Sequence, residues 1–448
     1  MSGDSLAFTG WGQTSPTVAE NIEITGIDSL RIAIAKGRPR GLIARGLGRS
    51  YGDAAQNGGG AVLDMTGWNH ILDVDIAADT VTVQSGVSID QLMRHLLPHG
   101  LWIPVIPGTR QVTIGGAIAA DVHGKNHHRS GSFGTHVCSM ELLTASGDLL
   151  TLKPDDPLFW ATVGGMGLTG VVTQATIALK RVETSYFLVD TLKVDHLDGL
   201  LEALATGDDS YEYSVAWFDT ATSGRRLGRA VITRGHGAKV GDLPDSQRSD
   251  ALRFGAPQLG RVPFALPNRL VNNVTARAFN AAWFAKAPRR RNAEVQDITQ
   301  FFHPLDIIGD WNRVYGSHGF CQYQFVVPFG AEDAFREAVT VIADSDHVSS
   351  LNVLKRFGAG NRSPLSFPMP GWTLAVDLPL RRGLGTLLDR LDQIVTGAMG
   401  RVYLAKDSRL SPESFRAMYP RFDEFESIRA TIDPDGVFRS DLARRLQI

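Results

Sequence analysis

Lys406 is the residue whose type and position most directly suggest chemistry. It follows the apolar run 402–405 and begins the polar run 406–409, a pattern that places it at the end of a strand beside a cleft. Oxidation of an alcohol removes one hydrogen as a proton and one as a hydride, so a base or a cation must lie at the hydroxyl. A buried lysine can take up the proton, or it can stay charged and stabilise the alkoxide. A surface lysine paired with Asp407 is the alternative interpretation.

Histidines of the polar loop 121–135 form a second candidate group. His123 and His127 are four residues apart, as in a zinc-binding pair on a helix, but Gly124 and the loop composition argue against a helix. We therefore predict no metal site and interpret His127 and His128 as solvated loop residues. His123 is either a hydrogen-bonded structural residue or a group beside a bound cofactor.

Glycine-rich loops in the first 170 residues suggest a phosphorylated cofactor. The loop 45–53 offers successive backbone N–H groups that can cradle a pyrophosphate. The glycines in residues 107–109, 115–116 and 164–165 would also let the backbone come close to a ligand. Residues 165–170 also match the Rossmann pattern G-x-G-x-x-G, but the β-branched residues that follow predict a strand where that site needs a helix. The four loops together therefore favour a different kind of cofactor site.

The segments around these loops predict short strands and two helices. Ser88 and Gln91 form a capping box at the start of an amphipathic helix. Small residues at 115–120 predict a second helix, packed closely against backbone or ligand. The remaining segments are apolar or β-branched and predict strands at residues 41–44, 61–65, 80–83 and 170–179.

From Ser185 onward glycine becomes rarer and aromatic residues more frequent. Residues 322–327 and 372–378 alternate like strands of a sheet with one functional face. Residues 241–273 are polar and weakly periodic and predict a long mobile loop. Ser411 begins a helix with proline in its first turn.

Composition excludes several classes of protein. The chain has 448 residues, which predicts two domains, and a net charge of -2, which argues against nucleic-acid binding. Cys138 and Cys321 cannot build a disulfide framework. Residues 1–10 lack the pattern of a Sec signal, and no apolar run is long enough to predict a transmembrane helix.

Three runs in the first half carry a family resemblance: RGLGRSYGD (45–53), PGTRQVTIGGAIAADVHGKNHH (107–128) and FWATVGGMGLTGVVT (159–173). They resemble the FAD-binding domain of the vanillyl-alcohol-oxidase family, which includes aldonolactone and alditol oxidases. TQFFHPLD, GFCQYQFVVP, PLSFPMPGW, YLAKDSR and DLARRL resemble, more narrowly, the oxidase subunits of decaprenylphosphoryl-β-D-ribose 2′-epimerases. The likeness runs from about residue 10 to the end.

The resemblance implies an α+β fold with a two-part, PCMH-type FAD-binding domain and a substrate domain built on an antiparallel sheet with flanking helices. Residues 1–184 are expected to form the first part of the FAD domain. Residues 185–400 are expected to form the substrate domain, and residues 401–448 to return to the FAD domain.

The resemblance also assigns residues to the site. Those expected to bind FAD are Arg45, Gly46, Leu47, Gly48, Arg49, Ser50, Tyr51, Gly52, Pro107, Gly108, Thr109, Gly115, Gly116, Ala117, His123, Gly124, Gly164, Gly165 and Val172. Those expected to bind substrate are Lys125, Phe302, Gln322, Gln324, Lys355, Thr373, Ala375 and Lys406. Lys406, His123 and Tyr51 are the expected catalytic residues. Relatives often carry Tyr, Asn and Cys at positions 302, 373 and 375, so the pocket shape is expected to differ while the redox chemistry remains.

The activity implied is FAD-dependent oxidation of the 2′-hydroxyl of a polyprenylphosphoryl-β-D-ribofuranose to the 2′-keto sugar. An NADH-dependent keto-sugar reductase would complete the epimerisation, which supplies arabinose for cell-wall arabinan. One alternative is a soluble aldonolactone- or alditol-type oxidase that uses oxygen. Another is a catalytically idle envelope scaffold that keeps FAD for structure.

A lipid-linked substrate implies a peripheral membrane protein without a transmembrane segment. The basic run 289–291 is either a solvated patch or a contact for anionic headgroups. The lack of a Sec signal favours the cytoplasmic face of the membrane and leaves the periplasmic face open.

We predict that FAD is bound without a covalent link. In aldonolactone-oxidase relatives the residue after the second glycine of the first loop is a histidine that bonds the flavin, and Arg49 stands there in this chain. Acid precipitation should therefore release yellow FAD into the supernatant. A pellet that stays yellow would contradict the assignment.

Overall fold

The structure is a computed structural model that describes residues 4–268 and 270–448. The first three residues of the N-terminal segment 1–10, and Arg269 of the predicted loop 241–273, lie outside the described residues. The predicted α+β class is confirmed: antiparallel and mixed sheets are flanked by helices. No helix within the two described ranges combines the length and the apolar character that a bilayer crossing requires.

Two sheets precede residue 184. Their strands, with one further pair, are β1 (Asp4–Phe8), β2 (Thr17–Glu23), β3 (Leu42–Arg45), β4 (Ala61–Asp64), β5 (Ile71–Asp75), β6 (Thr80–Gln84), β7 (Leu101–Trp102), β8 (Val137–Leu143), β9 (Leu149–Leu152), β10 (Val171–Ala178) and β11 (Lys180–Arg181). The first sheet has the order β1-β2-β4-β3, and β4 runs parallel to both its neighbours. The second has the antiparallel order β5-β6-β10-β8-β9.

A third sheet of eight antiparallel strands follows. The strands of the second half are β12 (Tyr186–Val194), β13 (Tyr213–Phe218), β14 (Ala230–Gly237), β15 (Gly260–Arg261), β16 (Arg290–Asp297), β17 (Ile308–Gly309), β18 (Phe320–Pro328), β19 (Asn352–Phe357), β20 (Gly371–Pro379) and β21 (Arg401–Val402). Their order in the sheet is β16-β12-β14-β13-β19-β20-β18-β21, while β15 and β17 form a separate short pair. The predicted strands at 322–327 and 372–378 are thus adjacent antiparallel partners, β18 and β20.

The α-helices are α1 (Ile27–Ala35), α2 (Ile89–Leu96), α3 (Ile114–Ala119), α4 (His127–Ser130), α5 (Pro157–Thr162), α6 (Leu197–Gly207), α7 (Asp245–Arg248), α8 (Asn273–Lys286), α9 (Ile298–Phe302), α10 (Glu332–Asp344), α11 (Leu384–Gly397), α12 (Pro412–Met418), α13 (Phe422–Ile432) and α14 (Asp441–Leu446). The capping box predicted for α2 is confirmed: the Ser88 hydroxyl accepts from the Gln91 amide at 3.1 Å, and the Gln91 side chain accepts from the Ser88 amide at 2.9 Å. The predicted helix at 115–120 is α3.

The segment after the G-x-G-x-x-G match is β10, so the rejection of a Rossmann site is confirmed. One other expectation needs correction. Lys406 lies in a turn four residues beyond the short strand β21, not directly at a strand end. The predicted loop 241–273 is largely irregular and includes the short helix α7 and the two-residue strand β15; some of its backbone groups find partners elsewhere in the chain. Arg313, for example, donates to the carbonyls of Val262 and Pro263 at 3.0 and 2.8 Å.

The end of the chain packs against its beginning. Arg445 of α14 pairs with Asp53 at 2.8 Å, and the Arg439 amide donates to the Leu42 carbonyl at 2.9 Å. The proposed domain boundary at 400–401 stays a prediction, and β21, which lies just beyond it, is still part of the eight-stranded sheet.

Candidate functional site

A cavity of about 890 Å³ lies between the glycine loops of the first 170 residues and one face of the eight-stranded sheet. Loop residues such as Gly46 and Gly108 form one wall, and strand residues such as Gln324 and Lys355 form the other. The glycine-rich first part of the chain and the part after Ser185, which is richer in aromatic residues, therefore meet at one site.

The loop after β3 contains glycines at positions where a side chain would not fit. A Cβ atom on Gly46 would lie 2.1 Å from the Thr113 hydroxyl, and Gly48 has a φ of +64°. Within the part of the chain that the structure describes, the backbone amides of residues 46–50 have no hydrogen-bond acceptor. Arg45 helps to hold this loop by donating to the Thr9 carbonyl at 2.7 Å. The loop thus presents free N–H groups to the cavity, as a pyrophosphate cradle requires.

The loop before α3 forms the next part of this wall. Asp306 accepts from the Thr109 hydroxyl at 2.8 Å and from the Arg110 amide at 2.9 Å. Gly108 has no atom within 4 Å of the position that a Cβ would take, so its backbone borders open space. The Thr113 hydroxyl caps α3 by accepting from the Gly116 amide at 3.2 Å.

Fifteen of the residues assigned to FAD line the cavity: Arg45, Gly46, Leu47, Gly48, Arg49, Ser50, Tyr51, Pro107, Gly108, Thr109, Gly115, Gly116, His123, Gly124 and Val172. Four do not: Gly52, Ala117, Gly164 and Gly165. Their neighbours explain this difference. A Cβ on Gly52 would lie 1.8 Å from the Asp407 carbonyl oxygen, and one on Gly165 would lie 2.1 Å from that of Ala161.

Gly164 likewise packs against Ser363 and Ser366, and Ala117 is fully buried in the core. Protein packing alone accounts for the small residues at these four positions, and their assignment to FAD stays a prediction. Met166, Gly167 and Gly170, which the sequence analysis did not assign, line the cavity in their place.

The residues of this wall fit FAD. Besides the free amides, buried side-chain atoms of Arg49, Ser85 and His123 have no hydrogen-bond partner among the described residues. Buried polar groups normally have partners, so these atoms indicate a polar ligand. The Arg49 guanidinium lies 3.9 Å from the centre of the Trp11 ring, which fixes its position at the cavity wall.

Lys406 and Tyr51 meet at the inner end of the cavity. The Lys406 ammonium lies 3.7 Å from the centre of the Tyr51 ring, and the Tyr51 amide donates to the Ala405 carbonyl at 2.8 Å. Burial lowers the pKa of Lys406, and the charge of Asp377 opposes that shift. Burial raises the pKa of Tyr51 well above its usual value, so its hydroxyl keeps its proton at neutral pH.

Asp377 is a site residue that the sequence analysis missed. It is fully buried on β20, opposite Gln322 of β18, whose side-chain amide donates to it. Its second carboxylate oxygen is buried and has no partner in the described chain. Burial raises its pKa, and the charge of Lys406 opposes that shift. Alternation along β20 was the available signal, because Thr373, Ala375 and Asp377 share one face.

His123 is buried and its ring is neutral. Burial, followed by the charges of Lys355, His127 and Lys406, lowers its pKa well below the usual value. The Gln324 side-chain amide donates to His123 Nε2 at 3.0 Å, so the ring proton belongs on Nδ1, which has no partner in residues 4–268 and 270–448. His123 can therefore donate one hydrogen bond to a ligand.

Two further lysines line the same cavity. Burial, with a smaller contribution from Lys355, lowers the pKa of Lys125 to about 7. Burial lowers the pKa of Lys355 to about 8. Lys125 donates to the Phe301 carbonyl, whereas Lys355 and Lys406 donate no side-chain hydrogen bond to any described residue.

The three positions that depart from the family pattern differ in their exposure to the cavity. Phe302 and Ala375 line it. Thr373 is fully buried on the same face, and its hydroxyl donates to the Phe325 carbonyl at 2.9 Å. Phe302 packs edge to face on Phe187 and Tyr213, with ring centroids 4.9 and 5.0 Å away.

The interpretation of His127 and His128 as solvated was wrong. His127 is buried at the start of α4, where its ring lies 4.4 Å from that of Phe357 and accepts from the Gly358 amide at 3.2 Å. Burial lowers its pKa to about 3. His128 is partly buried and hydrogen-bonds the carbonyls of Asp208 and Tyr211. Both rings pack on segments that are distant in sequence.

Two family models match this chain. An FAD binding domain matches residues 27–153, and a D-arabinono-1,4-lactone oxidase matches residues 324–446. The first range contains the glycine loops at 45–53, 107–109 and 115–116, and the second contains Lys355, Asp377 and Lys406. The cofactor assignment is thereby confirmed: the chain carries an FAD-binding domain.

Several curated proteins are similar over nearly the whole length. The decaprenylphosphoryl-β-D-ribose oxidase of Mycolicibacterium smegmatis is 52% identical over 98% of this chain and 97% of its own. The alditol oxidase of a Streptomyces species is 25% identical over 99% of both chains. The L-gulono-1,4-lactone dehydrogenase of Mycobacterium tuberculosis is 25% identical over 93% of this chain and 92% of its own. The chain therefore belongs to the decaprenylphosphoryl-β-D-ribose oxidase family and is an FAD-dependent oxidoreductase.

Proposed function

We propose that this enzyme oxidises the 2′-hydroxyl of a polyprenylphosphoryl-β-D-ribofuranose to the 2′-keto sugar. The name of the Mycolicibacterium smegmatis relative states that it is an oxidase of decaprenylphosphoryl-β-D-ribose, and 52% identity supports the same substrate class here. The product would pass to an NADH-dependent reductase that completes an epimerisation. FAD, when bound, accepts the two electrons and the hydrogen from carbon.

The grouping of three lysines at one end of the cavity carries the proposal. Lys125, Lys355 and Lys406 all line it, and burial lowers the pKa of each. Buried ammonium groups are costly unless an opposite charge compensates them. The phosphodiester of a lipid-linked sugar would supply that charge, whereas a free alditol or aldonolactone would not.

We assign the catalytic role to Lys406, supported by Tyr51 and His123. Lys406 takes the hydroxyl proton in its neutral form, or stabilises the alkoxide in its charged form. Tyr51 lies against the ammonium and limits where it can move. His123 Nδ1 can donate to a sugar or cofactor oxygen. Lys125, Lys355 and Gln324 hold the phosphate and the ribose hydroxyls in this proposal.

We further propose that the enzyme works at a membrane surface. Leu259 and Phe264 of the segment 241–273 expose 82% and 67% of their surface, and large apolar side chains at such exposure suit contact with lipid. The basic run at residues 289–291 is exposed and could face anionic headgroups.

Lys406→Met is expected to keep the fold and FAD but to slow flavin reduction by about 10²–10⁴-fold, the usual effect of losing a general base or a stabilising charge. Methionine keeps most of the side-chain length and removes the nitrogen. The measurement is single-turnover bleaching of the flavin after anaerobic mixing with the lipid-linked ribose. Lys355→Met, at an equally buried lysine, should instead raise the substrate concentration needed and keep most of the limiting rate.

The same experiment separates the alternatives. A Lys406→Met variant that retains FAD and bleaches within about threefold of the wild type would exclude Lys406 as the catalytic residue. Rapid peroxide release with free sugars would favour an oxygen-using oxidase. A wild-type flavin that no polyprenylphosphoryl sugar bleaches would favour the idle scaffold.

Asp377→Asn is expected to shift the pH profile of flavin reduction to lower pH. The Asp377 charge raises the pKa of Lys406, so its removal lets that pKa fall further. If neutral Lys406 is the base, the rate rises with pH, and the rise moves to lower pH in the variant. If charged Lys406 is the stabilising group, the rate falls with pH, and the fall moves the same way.

Whether the wild-type rate of flavin reduction rises or falls with pH therefore shows whether Lys406 acts as a base or as a cation. Asp392→Asn is the matched control. Asp392 is a buried carboxylate on α11, and it pairs with Arg409 at 2.6 Å. It should leave the pH profile in place even if it lowers the melting temperature. An unchanged profile in Asp377→Asn would contradict the coupling.

The segment 241–273 is expected to be the first site of limited proteolysis. It has few regular elements, and Leu259 and Phe264 are exposed. Cleavage should slow when a lipid-linked substrate is bound, because the segment would then cover the lipid tail. Equal resistance of this segment and the rest of the chain in the free enzyme would refute the idea.

A further inference from the structure

The cavity continues past the three lysines along the face of the eight-stranded sheet. Five residues on neighbouring strands form one row across this face, each paired with the next: Val231, Trp217, Val353, Ala375 and Gln324. Paired residues project from the same side of a sheet, and all five line the cavity. At about 4.8 Å between strands, the row spans roughly 19 Å.

The character of the row changes along its length. Gln324 lies at the polar end, where its amide contacts His123 at 3.0 Å. From Ala375 outward every member of the row is apolar. The polar end therefore suits the sugar phosphate, and the rest of the row suits a ligand that is apolar and extended.

Helix α8 supplies two aromatic rings to the same part of the cavity. Phe279 and Trp283, one turn apart, both line it and stack with ring centroids 6.0 Å apart. They remain about half exposed, at 50% and 47%. Asn280 between them is fully buried and donates to Asp219 at 2.8 Å and to the Ser349 carbonyl at 3.0 Å. These bonds anchor the helix beside the cavity that the two rings line.

We propose that Val231, Trp217, Val353, Phe279 and Trp283 form an apolar track that binds the first isoprene units of the substrate's lipid tail. This inference rests on the proposed function, because the track begins where the lysines would hold the phosphate. A small free sugar would leave these side chains in contact with water, which is unfavourable. A linear hydrocarbon would cover the row from Ala375 to Val231 and shield the rings of Phe279 and Trp283 from water.

Two substrates that share a head group test the track: farnesylphosphoryl-β-D-ribose and methylphosphoryl-β-D-ribose. The measured quantity is the ratio of their apparent second-order rate constants for single-turnover, anaerobic flavin reduction by the FAD-loaded enzyme. Each buried methylene favours binding by about fourfold, so the wild type should prefer the farnesyl substrate by well over about tenfold. Trp283→Ala and Trp217→Ala should each lower that preference by about tenfold or more.

Val274→Ala is the matched control on α8. Val274 is 76% exposed and is not part of the track, so the variant should keep the wild-type preference. A second measurement avoids turnover: calorimetric titration with farnesyl phosphate should show weaker binding in Trp283→Ala, whereas inorganic phosphate should bind equally to this variant and the wild type. FAD content verifies that each variant is folded, and Phe279→Ala replaces any variant that is not.

The outcomes distinguish the two levels of the proposal. If neither substrate reduces the flavin of the wild type, the proposed function is wrong. If both reduce it with equal efficiency, or if Trp283→Ala and Trp217→Ala keep the wild-type preference, the track is wrong and the proposed function stands.

Discussion

Arg445 connects the segments that form the inner end of the cavity. Its guanidinium pairs with Asp53, at the end of the first glycine loop, at 2.8 Å and with Asp407, next to Lys406, at 2.9 Å. Burial lowers the pKa of Arg445, whereas the two carboxylates raise it. The effect of the carboxylates is larger, so the pKa is raised. An ion pair that is largely shielded from water, as this one is, is costly to break, because each partner would then be left as an uncompensated charge. The loop and the Lys406 turn are consequently fixed relative to each other.

This fixed distance makes the placement of Lys406 possible. Gly52 contacts the Asp407 carbonyl so closely that any side chain there would separate the two segments. With the segments in contact, the Tyr51 ring meets the Lys406 ammonium, and the ammonium donates no hydrogen bond within the described ranges. An ammonium without acceptors in a buried position has a lowered pKa, which is the property that proton transfer near neutral pH requires. In the proposed mechanism, the position of Lys406 thus depends on an ion pair formed by other residues.

Sequence reasoning succeeded where the interaction is local and failed where it is not. The capping box of α2 joins Ser88 to a residue three positions away, so it could be predicted directly. The burial of His127 depends on Phe357, more than two hundred residues later, and no local pattern reports that contact. Gly164 and Gly165 were assigned to the cofactor because glycine allows close approach, but sequence does not say whether ligand or protein is approached. Asp377 lay within reach of the alternation rule and was missed because its partner Gln322 is on another strand.

The three departures from the family pattern each suit their local surroundings. The Phe302 ring packs among the rings of Trp102, Phe187 and Tyr213, and it brings no hydroxyl that would need a hydrogen-bond partner. Thr373 satisfies its own hydroxyl through the Phe325 carbonyl. Ala375 adds no polar atom between Val353 and Gln324. None of the three makes a described hydrogen bond to Lys406 or Asp377, so these departures leave the direct contacts of the lysine and the aspartate in place.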